Sequence, residues 1–393
     1  MRIAIIGGGV GGLTAAIALL RRGVEVEVLE QAPAISAVGA SLQLGPNAVR
    51  LLDELGLLPA LRSIGVRPDA VDFLRWDDGS LLLHQALGED AETHFGAPQL
   101  DFYRPDLHRV LADALPEGVL RLGVRVDGVE QDESGVTIVT EHGERIRADA
   151  AVAADGIRSR IRQQLVGEDN PAFSNTVVYR GVVPRAKIAH LHPDRLNLYW
   201  LGPRRHGVAY WIAGGELLAV NCAVQDAEWS RESWTLEASA EEAAQAFEDW
   251  DSPLLERIMR VTTALRGAVF VRQPIEHWSF GRVTLLGDAA HAMEPFQAQG
   301  AAQAVEDAYV LAECLGADTD VEAAFARYEQ IRMSRAEELQ ESSAAAANVF
   351  YLPDGDEQRQ RDARYATILE DFPFGTRQPI WEYDVRDALA NPA

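Results

Sequence analysis

The sequence predicts an α/β protein in which a parallel-sheet unit is interrupted by antiparallel sheet and followed by a helical C-terminal region. Three observations support this prediction. The chain begins with a strand, a glycine-rich turn, a helix and a second strand. Its middle alternates apolar and polar residues, and a buried strand followed by a helix returns at 283–315. Strand, helix and strand within about thirty residues form a βαβ unit, whose crossover is almost always right-handed.

The individual elements follow from apolar spacing and from turn residues. A short apolar run at 2–6, bounded by glycine, is typical of a parallel strand buried on both faces. The remaining predicted elements are a helix at 12–22, a strand at 24–30, a helix at 46–63, antiparallel strands over 70–102, a helix at 104–115, strands at 119–126, 128–132, 136–140 and 148–154, antiparallel sheet over 175–225, a helix at 238–260, a strand at 283–286, helices at 300–315 and 320–350, and turns with aromatic residues in the last forty positions.

Composition excludes several classes of protein. The 393 residues carry 60 acidic and 36 basic side chains, a net charge of −24, so nucleic acid and anionic membranes are not expected partners. Cys222 and Cys314 lack ligand spacing, which argues against a disulfide framework and against a metal site; we expect both to be small buried hydrophobes. The sequence contains no apolar run of membrane length, and no leader precedes the first strand. A cytoplasmic location is therefore expected.

The first motif is G-x-G-x-x-G at Gly7, Gly9 and Gly12, between a strand and a helix. In that context the glycines allow a tight turn, backbone approach to a diphosphate and close helix packing, and the helix N-terminus favours negative charge. Glu30 closes the second strand and can accept hydrogen bonds from a ribose diol. An acid there repels a 2′-phosphate, so the motif predicts FAD or NAD rather than NADP.

Two further motifs follow. Gly287 and Asp288 end a buried strand, where ligands bind in open α/β sheets, and the helix that begins near Gly300 directs free N–H groups into the same place. Asp155 begins a second acidic turn; it either contacts a ligand or only orients that turn. His291 is expected to be a structural hydrogen bonder, and the pair Glu306–Asp307 is expected to serve the first turn of its helix.

Along the chain, the glycine motif, the Asp155–Gly156 motif and the Gly287–Asp288 motif resemble, in order and spacing, those of the single-component FAD-dependent aromatic hydroxylases, the family of p-hydroxybenzoate and salicylate hydroxylases. The resemblance covers nearly the whole chain. It implies a Rossmann-like FAD-binding domain (1–70, 101–172 and 270–345), an inserted antiparallel-sheet substrate domain (71–100 and 173–269) and a C-terminal segment (346–393). The family has no second Rossmann domain, because its nicotinamide visits transiently.

The resemblance also implies roles for single residues. Gly7, Gly9, Gly12 and Glu30 would bind the diphosphate and ribose of FAD, and Asp288 its ribityl chain. Arg104 would contact the cofactor, and the amides of Gly300 and Ala301 would lie at the flavin pyrimidine edge. Asp155 and Arg158 would serve both FAD and NAD(P)H. Arg180, Pro295 and Gln299 would contact the substrate or the nicotinamide. One departure is Ala298, where many members have glycine.

The substrate end rests on a strand in which His206, Val208, Tyr210 and Ile212 share one face. This stretch resembles the segment that carries a histidine and a tyrosine in hydroxylases of 6-hydroxynicotinate and related phenolic acids. Because histidine ordinarily titrates near neutrality and tyrosine near pH 10, roughly, we expect His206 and Tyr210 to relay the proton of the substrate hydroxyl. The alternative for His206 is a solvated turn residue beside two arginines. Trp200 and Trp211 are expected in the core or at its rim.

The implied activity is that of an FAD monooxygenase, in which NADH or NADPH reduces the flavin and one atom of dioxygen enters an electron-rich ring, ortho or para to a hydroxyl. The small aromatic substrate is expected to be an acid. A dehydrogenase or oxidase on the same scaffold and a non-catalytic flavin-binding regulator remain alternatives. The substrate itself, the choice between NADH and NADPH, and the oligomeric state stay open.

Overall fold

The computed structural model describes residues 1–35, 41–188, 196–226, 236–250, 253–260 and 262–390. Parts of two predicted elements, 189–195 of the β-region and 251–252 of the helix at 238–260, lie outside these residues. The strands are β1 (Arg2–Ile6), β2 (Glu25–Glu30), β3 (Ser41–Leu44), β4 (Ala70–Arg75), β5 (Leu81–Ala86), β6 (Leu100–Tyr103), β7 (Leu120–Leu122), β8 (Val126–Asp132), β9 (Gly135–Thr140), β10 (Arg145–Ala148), β11 (Ala150–Ala153), β12 (Ala172–Pro184), β13 (Leu196–Gly202), β14 (Arg205–Ile212), β15 (Leu217–Gln225), β16 (Leu236–Ala238), β17 (Thr263–Val271), β18 (Ser279–Phe280) and β19 (Val283–Leu285). The helices are α1 (Val10–Arg21), α2 (Pro46–Glu54), α3 (Leu58–Ile64), α4 (Gly88–Phe95), α5 (Arg104–Asp113), α6 (Arg160–Val166), α7 (Arg185–Ile188), α8 (Ala240–Gln245), α9 (Pro253–Arg260), α10 (Asp288–His291), α11 (Gly300–Ala317), α12 (Val321–Phe350), α13 (Asp356–Asp371), α14 (Gln378–Glu382) and α15 (Val385–Ala390).

A six-stranded sheet in the order β18-β19-β11-β1-β2-β7 forms the first layer. Four of its five pairings are parallel, and only the edge strand β18 runs antiparallel. Apart from Arg2 at the start of β1, its central strands β1 and β11 are apolar and fully buried, because helices cover both faces of a parallel sheet. The predicted βαβ start and the returning strand near residue 283 are therefore confirmed, and both deliver their carboxyl ends to the same edge.

The second layer is an eight-stranded sheet in the order β16-β17-β12-β15-β14-β13-β4-β5. All pairings are antiparallel except the one between β13 and β4, so the predicted antiparallel insertion is confirmed. The alternation of β14 separates two cores: Val208 and Tyr210 face one side, whereas Ala209 and Trp211 pack on the other with Trp200. Trp200 and Trp211 are thus core residues, as expected.

Four stretches differ from the sequence prediction. The predicted helix at 46–63 is two helices, because Gly56 adopts a left-handed backbone conformation after α2. Within 70–102, where antiparallel strands were expected, the structure has helix α4, whose first turn carries the acidic residues Glu89 and Asp90. Acidic side chains stabilise the N-terminal end of a helix. The predicted helix at 238–260 is likewise two helices, α8 and α9. The last forty residues contain α13, α14 and α15 rather than turns alone.

A short two-stranded sheet, β3 with β6, lies where the two layers meet. Ser41 and Gln43 alternate along β3 and direct their side chains toward the large sheet, where Ser41 meets Tyr210 and Gln43 meets Tyr199. The helices α12 and α13 close the other side, with Phe350 and Tyr365 in the same apolar cluster as Tyr210. No helix in the described part of the chain is both long and apolar enough to cross a membrane.

Candidate active site

The glycine turn after β1 is shaped by close contacts. Gly7 has a φ of +109°, and a Cβ there would lie 2.3 Å from the Ala154 carbonyl oxygen; a Cβ on Gly12 would lie 2.0 Å from that of Gly7. A Cβ on Gly9, by contrast, would meet no protein atom within 4 Å. Packing therefore requires Gly7 and Gly12, while the space at Gly9 opens into the cleft described next.

This first cavity, the glycine cleft, has a volume of about 480 Å³ and runs from the turn to the end of β2. Its polar lining consists of Gly7, Gly8, Gly9, Glu30, Gln31, Arg104, His108, Arg125, Asp155, Gly156, Arg158 and Arg160. Glu30 accepts the backbone N–H of Gly8 at 2.6 Å and that of Ala32 at 2.7 Å, which fixes its carboxylate at the cleft wall. Four of the lining side chains are arginines, which suits a diphosphate.

Burial shifts the pKa values of two residues that line the cleft, His108 and Asp155. Burial, reinforced by the charge of Arg104, lowers the pKa of His108 to about 4, so this imidazole is neutral at neutral pH. Asp155 accepts the Arg160 backbone N–H at 2.9 Å, at the start of α6, while burial raises its pKa. Asp155 thus orients its own turn and also lines the cleft, so the two interpretations offered by the sequence are compatible.

A second cavity, the inner cavity, has a volume of about 430 Å³ and joins the glycine cleft along Gly9, Arg104, Ala154 and Gly156. Asp288, Gly300 and Ala301 line it on the side of the parallel sheet. An elongated dinucleotide fits this pair of cavities, with its ribose near Glu30 and its second half beside Asp288 and the N-terminus of α11. The residues that the resemblance assigned to FAD are therefore brought together, across a span of nearly 300 positions in sequence.

Ala298 ends the loop before α11 and also lines the inner cavity. Its φ of +54° lies in the left-handed region, which explains why glycine is common at this position of the motif. Pro295, three residues earlier, is exposed and lines the same cavity, and its contact with the substrate or the nicotinamide stays a prediction.

Gln299 does not meet that expectation through its side chain. Its side chain is 1% exposed, lines neither cavity and accepts the amide N–H groups of Asn47 at 3.1 Å and Gln303 at 3.2 Å. The reason is that Gln299 precedes α11 and turns into the polar cluster beneath that helix. Any ligand contact of Gln299 is left to its backbone.

That cluster, here called the scaffold cluster, corrects the expectation for Glu306 and Asp307. Helix α11 begins at Gly300, so neither acid lies in its first turn. Both are buried against Arg332 of α12, at 2.8 Å for Glu306 and 2.9 Å for Asp307. The members of the scaffold cluster are Asn47, Gly287, His291, Gln299, Gln303, Glu306, Asp307 and Arg332.

The scaffold cluster holds the loop that carries Asp288. Asp307 accepts the backbone N–H of Gly287 at 3.0 Å and lies 2.6 Å from Nε2 of His291. Burial opposes the charged form of Asp307, but His291 and Arg332 hold its pKa below the usual range. His291, 1% exposed, is the structural hydrogen bonder that the sequence suggested.

On the side of the large sheet, the inner cavity is lined by His206, Val208 and Tyr210 of β14. The Tyr210 hydroxyl donates to Ser41 Oγ at 2.6 Å, and Asn221 donates to the same oxygen at 3.2 Å. Burial raises the pKa of Tyr210 above its ordinary value. The phenol is therefore a fixed, neutral group on the cavity wall.

His206 is only 7% exposed, so the alternative of a solvated turn residue is wrong. Its ring lies 5.3 Å from that of Phe296 and 5.5 Å from that of Phe350, and burial lowers its pKa to about 3. The expectation that His206 titrates near neutrality is wrong for the same reason. His206 faces the cavity as a neutral imidazole.

Arg180 on β12 completes the polar lining that the sequence anticipated. Burial, with Arg104 as the second cause, lowers its pKa to about 10, so the guanidinium remains charged at neutral pH. Sequence reasoning missed Ser41, Gln43, Asn221, Glu294 and Phe350, all of which line the inner cavity. The polar–apolar alternation of Ser41, Leu42 and Gln43 was one local signal, and Glu294 lies within the Gly287–Asp288 motif segment. Asn221 and Phe350 lie in segments without a motif.

Comparison with known proteins agrees with this geometry. A family model described as an FAD binding domain matches residues 1–343. A 3-amino-4-hydroxybenzoate 2-monooxygenase of Streptomyces platensis is 42% identical over 376 residues, which is 95% of each chain. A 6-hydroxynicotinate 3-monooxygenase of Pseudomonas fluorescens is 36% identical over 348 residues, covering 87% of this chain and 90% of its relative. A solved salicylate hydroxylase superposes with a TM-score of 0.83 at 27% identity and covers 100% of this chain and 98% of its own. The chain belongs to the FAD-dependent aromatic monooxygenases.

Proposed function

We propose that this enzyme hydroxylates the ring of a phenolic or heteroaromatic acid, with Tyr210 binding the ring hydroxyl and Arg180 the carboxylate. Two relatives support the substrate class, since both 3-amino-4-hydroxybenzoate and 6-hydroxynicotinate are carboxylated rings that carry a hydroxyl. NADH or NADPH is the expected co-substrate, as in the family. The carboxylate would meet Arg180 and Arg104, two cations in the inner cavity of an otherwise strongly acidic protein.

The observation that carries the proposal is the hydrogen bond from Tyr210 to Ser41. Because the phenolic proton already points to Ser41 at 2.6 Å, the free lone pair of the Tyr210 oxygen is left to accept another hydrogen bond. A hydroxyl on the substrate ring is the complementary donor. As its proton passes to Tyr210, Tyr210 can pass its own proton to Ser41, and the partly exposed Ser41 can release its hydroxyl proton to water. No charged tyrosinate then has to form in this buried place.

His206 is the second group in the proposed relay. A neutral imidazole can accept the hydroxyl proton or orient the ring, and its low pKa means that a stable imidazolium does not form at neutral pH. A relay through His206 therefore has to move the proton onward as it arrives. For this reason the proposal assigns the primary contact to Tyr210 and a supporting one to His206.

FAD, when bound and reduced by the nicotinamide, supplies the activation of dioxygen. Glu30 would bind its ribose, the turn at Gly9 its diphosphate and Asp288 its ribityl chain. The amides of Gly300 and Ala301 at the start of α11 would favour negative charge on the flavin ring. The protein's further contribution is exclusion of water, since Val208, Phe296 and Phe350 make the wall around the reacting ring apolar.

The proposal is tested by turnover of the purified yellow holoenzyme with a panel of hydroxybenzoates, aminohydroxybenzoates and hydroxynicotinates. We expect nicotinamide oxidation that depends on one of these acids, and a product heavier by one oxygen atom. Reduction of the flavin by the acid itself, without nicotinamide and without oxygen, would instead indicate a dehydrogenase or oxidase. Failure of every carboxylated ring, with turnover of an uncharged one, would contradict the assignment of Arg180.

The location proposed for the enzyme is the cytoplasm. Cys222 and Cys314 are both buried free thiols, and burial raises the pKa of Cys222 to about 12 and that of Cys314 to about 11. Such thiols are inert small hydrophobes, as the sequence suggested, and they are compatible with a reducing compartment. Fractionation of the native host, with an antibody against this chain, tests the location.

A further inference from the structure

The wall of the inner cavity contains a carboxylate that the mechanism does not use. Glu294 follows α10 and immediately precedes the 3-10 turn at Pro295–Gln297, and its side chain lines the cavity. Its Oε2 atom is fully buried, yet it has no hydrogen-bond partner among the residues that the structure describes. A buried carboxylate oxygen without a donor is costly, so native proteins keep one mainly where a ligand supplies the donor.

The surroundings of Glu294 exclude a structural ion pair among the described residues. The apolar side chains of Met293, Phe296 and Phe350 line the same cavity. The Tyr351 hydroxyl is also near Glu294, since burial and then the charge of Glu294 raise the pKa of Tyr351. Burial is the sole cause that raises its pKa, to about 7, and no cation lowers it. In the scaffold cluster, by contrast, each carboxylate oxygen of Glu306 and Asp307 has a donor. Glu294 is thus one of three acids in the described part of the chain, with Asp101 and Asp155, that keep a buried oxygen without a donor, and it is the one of the three that lines the inner cavity.

A second orphaned atom lies on the same wall. Nδ1 of His206 is also buried without a hydrogen-bond partner among the described residues. The rings of His206 and Phe296 are 5.3 Å apart, and Phe296 is two residues beyond Glu294. Glu294, Phe296 and His206 therefore line the same cavity, in which Glu294 and His206 each have one buried atom without a partner among the described residues. Glu294, when charged, only accepts hydrogen bonds, and a neutral imidazole nitrogen also can accept one.

We propose that Glu294 determines substrate specificity by accepting a hydrogen bond from an amino group on the aromatic ring, so that the preferred substrate is an aminophenolic acid. An aromatic amine is neutral at neutral pH and carries two N–H donors. It can therefore satisfy Glu294 with one donor and leave the second for His206, which a single hydroxyl cannot do. A polar site of this kind rejects the analogue without the donor, because the buried acceptor then stays unpaired.

This inference rests on the proposed function, and one experiment separates the two. The kcat/KM of the holoenzyme is measured with 3-amino-4-hydroxybenzoate and with 4-hydroxybenzoate, in the parent and in Glu294→Gln, which keeps the shape but presents an N–H group. Dissociation constants of both acids are measured in parallel from the absorbance change of the oxidised flavin. The matched control is Glu341→Gln, which removes the same charge from an exposed site on α12.

We expect the parent to prefer 3-amino-4-hydroxybenzoate to 4-hydroxybenzoate. This preference, the ratio of the two kcat/KM values, should fall by about 10²-fold in Glu294→Gln, and the preference in binding, read from the two dissociation constants, should fall as well. Glu294→Asp, which keeps the carboxylate, should lie between the two, and Glu341→Gln should keep the parent ratio. A parent that hydroxylates phenolic acids without preferring the amine, or an unchanged ratio in Glu294→Gln at normal FAD content, would overturn the role of Glu294. A parent that hydroxylates neither acid, nor any other phenolic acid, would instead overturn the proposed function.

Discussion

Two buried polar regions of this protein contain similar residues but differ in whether their carboxylate oxygens have hydrogen-bond donors. In the scaffold cluster beneath α11, Arg332 pairs with two acids, and each of the four carboxylate oxygens accepts at least one hydrogen bond. On the wall of the inner cavity, Glu294 and His206 each retain a buried atom without a hydrogen-bond partner in the described part of the chain. The protein itself satisfies every carboxylate oxygen of the first region, although Asn47 Oδ1 and His291 Nδ1 lack a partner among the described residues. In the second region, a carboxylate oxygen is left for a ligand to satisfy.

The difference separates stability from recognition. Fully paired carboxylates fix their surroundings, here the Gly287 loop that carries Asp288 to the inner cavity. An unpaired carboxylate costs stability, and we expect a substrate that supplies the missing donor to recover that cost. Substitutions in the scaffold cluster should therefore act mainly on folding and FAD retention, whereas substitutions on the cavity wall should act mainly on turnover and selectivity.

The strongest expected effect comes from breaking the scaffold cluster. Arg332→Met leaves Glu306 and Asp307 buried without their cation, which should cost about 3–5 kcal/mol of unfolding free energy and release FAD more easily. Thermal unfolding followed by flavin fluorescence measures both effects. The control Arg359→Met removes an arginine whose partner Asp356 is exposed, and it should change stability by less than about 0.5 kcal/mol. Equal losses in the two variants would mean that the cluster does not stabilise the fold.

Tyr210→Phe tests the other region. Removing the phenolic oxygen deletes the acceptor proposed for the substrate hydroxyl, so hydroxylation should slow by roughly 10²-fold while FAD content stays normal. Single-turnover measurement of product formation reports this step. Tyr365→Phe, a buried tyrosine of the same apolar cluster that does not line the cavity, should keep a rate within about twofold of the parent. Equal rates in both variants would reduce Tyr210 to a wall residue.

Glu30 is intermediate between the two regions, because each of its oxygens accepts one backbone N–H while the carboxylate also lines the glycine cleft. Glu30→Ala should loosen FAD by roughly 1–3 kcal/mol, since a charge-assisted hydrogen bond to a ribose is lost. Dilution of the holoenzyme should then bleach its colour, and added FAD should restore it. Glu25→Ala, at the exposed start of the same strand, serves as the control. Identical FAD retention in both variants would remove Glu30 from the cofactor site.

The smallest effect expected is a pH dependence of stability caused by Glu294. Burial raises its pKa from 4.5 to about 7, so between these values the folded protein holds the proton more tightly than the unfolded chain. The stability that protonated Glu294 gives the folded protein, measured as free energy of unfolding, is therefore fully present below about pH 4.5. It is lost as the pH rises through about 7. Without substrate, Glu294→Gln should gain about 1–2 °C in unfolding temperature over the parent between pH 5 and about pH 8. A constant difference across this range would mean that the carboxylate is not desolvated.

Much of the fold was predictable because its signals are local. The run at 2–6, the glycine turn and the strand near 283 each contain their own pattern, and the resemblance joined them in the correct order. The helices of the last forty residues were missed because their apolar residues do not recur at a clear helical spacing. Helix α13 buries Gln358 and Arg361 beside Tyr365 and Ile368, so its pattern is hidden by polar residues that tertiary contacts hold.

The candidate site was predictable to an unequal extent for the same reason. The residues assigned to FAD lie in contiguous motifs, whereas the wall of the inner cavity combines β3, β12, β14, β15, the loop before α11 and the end of α12. Ser41 and Asn221 acquire a role only by meeting Tyr210, which no local pattern indicates. The neutral state of His206 also depends on distant rings, and this is why its titration was misjudged from the sequence.

The most direct test of the whole account is turnover of 3-amino-4-hydroxybenzoate by the parent holoenzyme under isotopically heavy dioxygen. We expect each coupled turnover to consume one nicotinamide and to place one heavy oxygen atom on the ring, ortho or para to its hydroxyl or its amino group. Product whose new oxygen comes from water, or a product that has lost hydrogen and gained no oxygen, would contradict it.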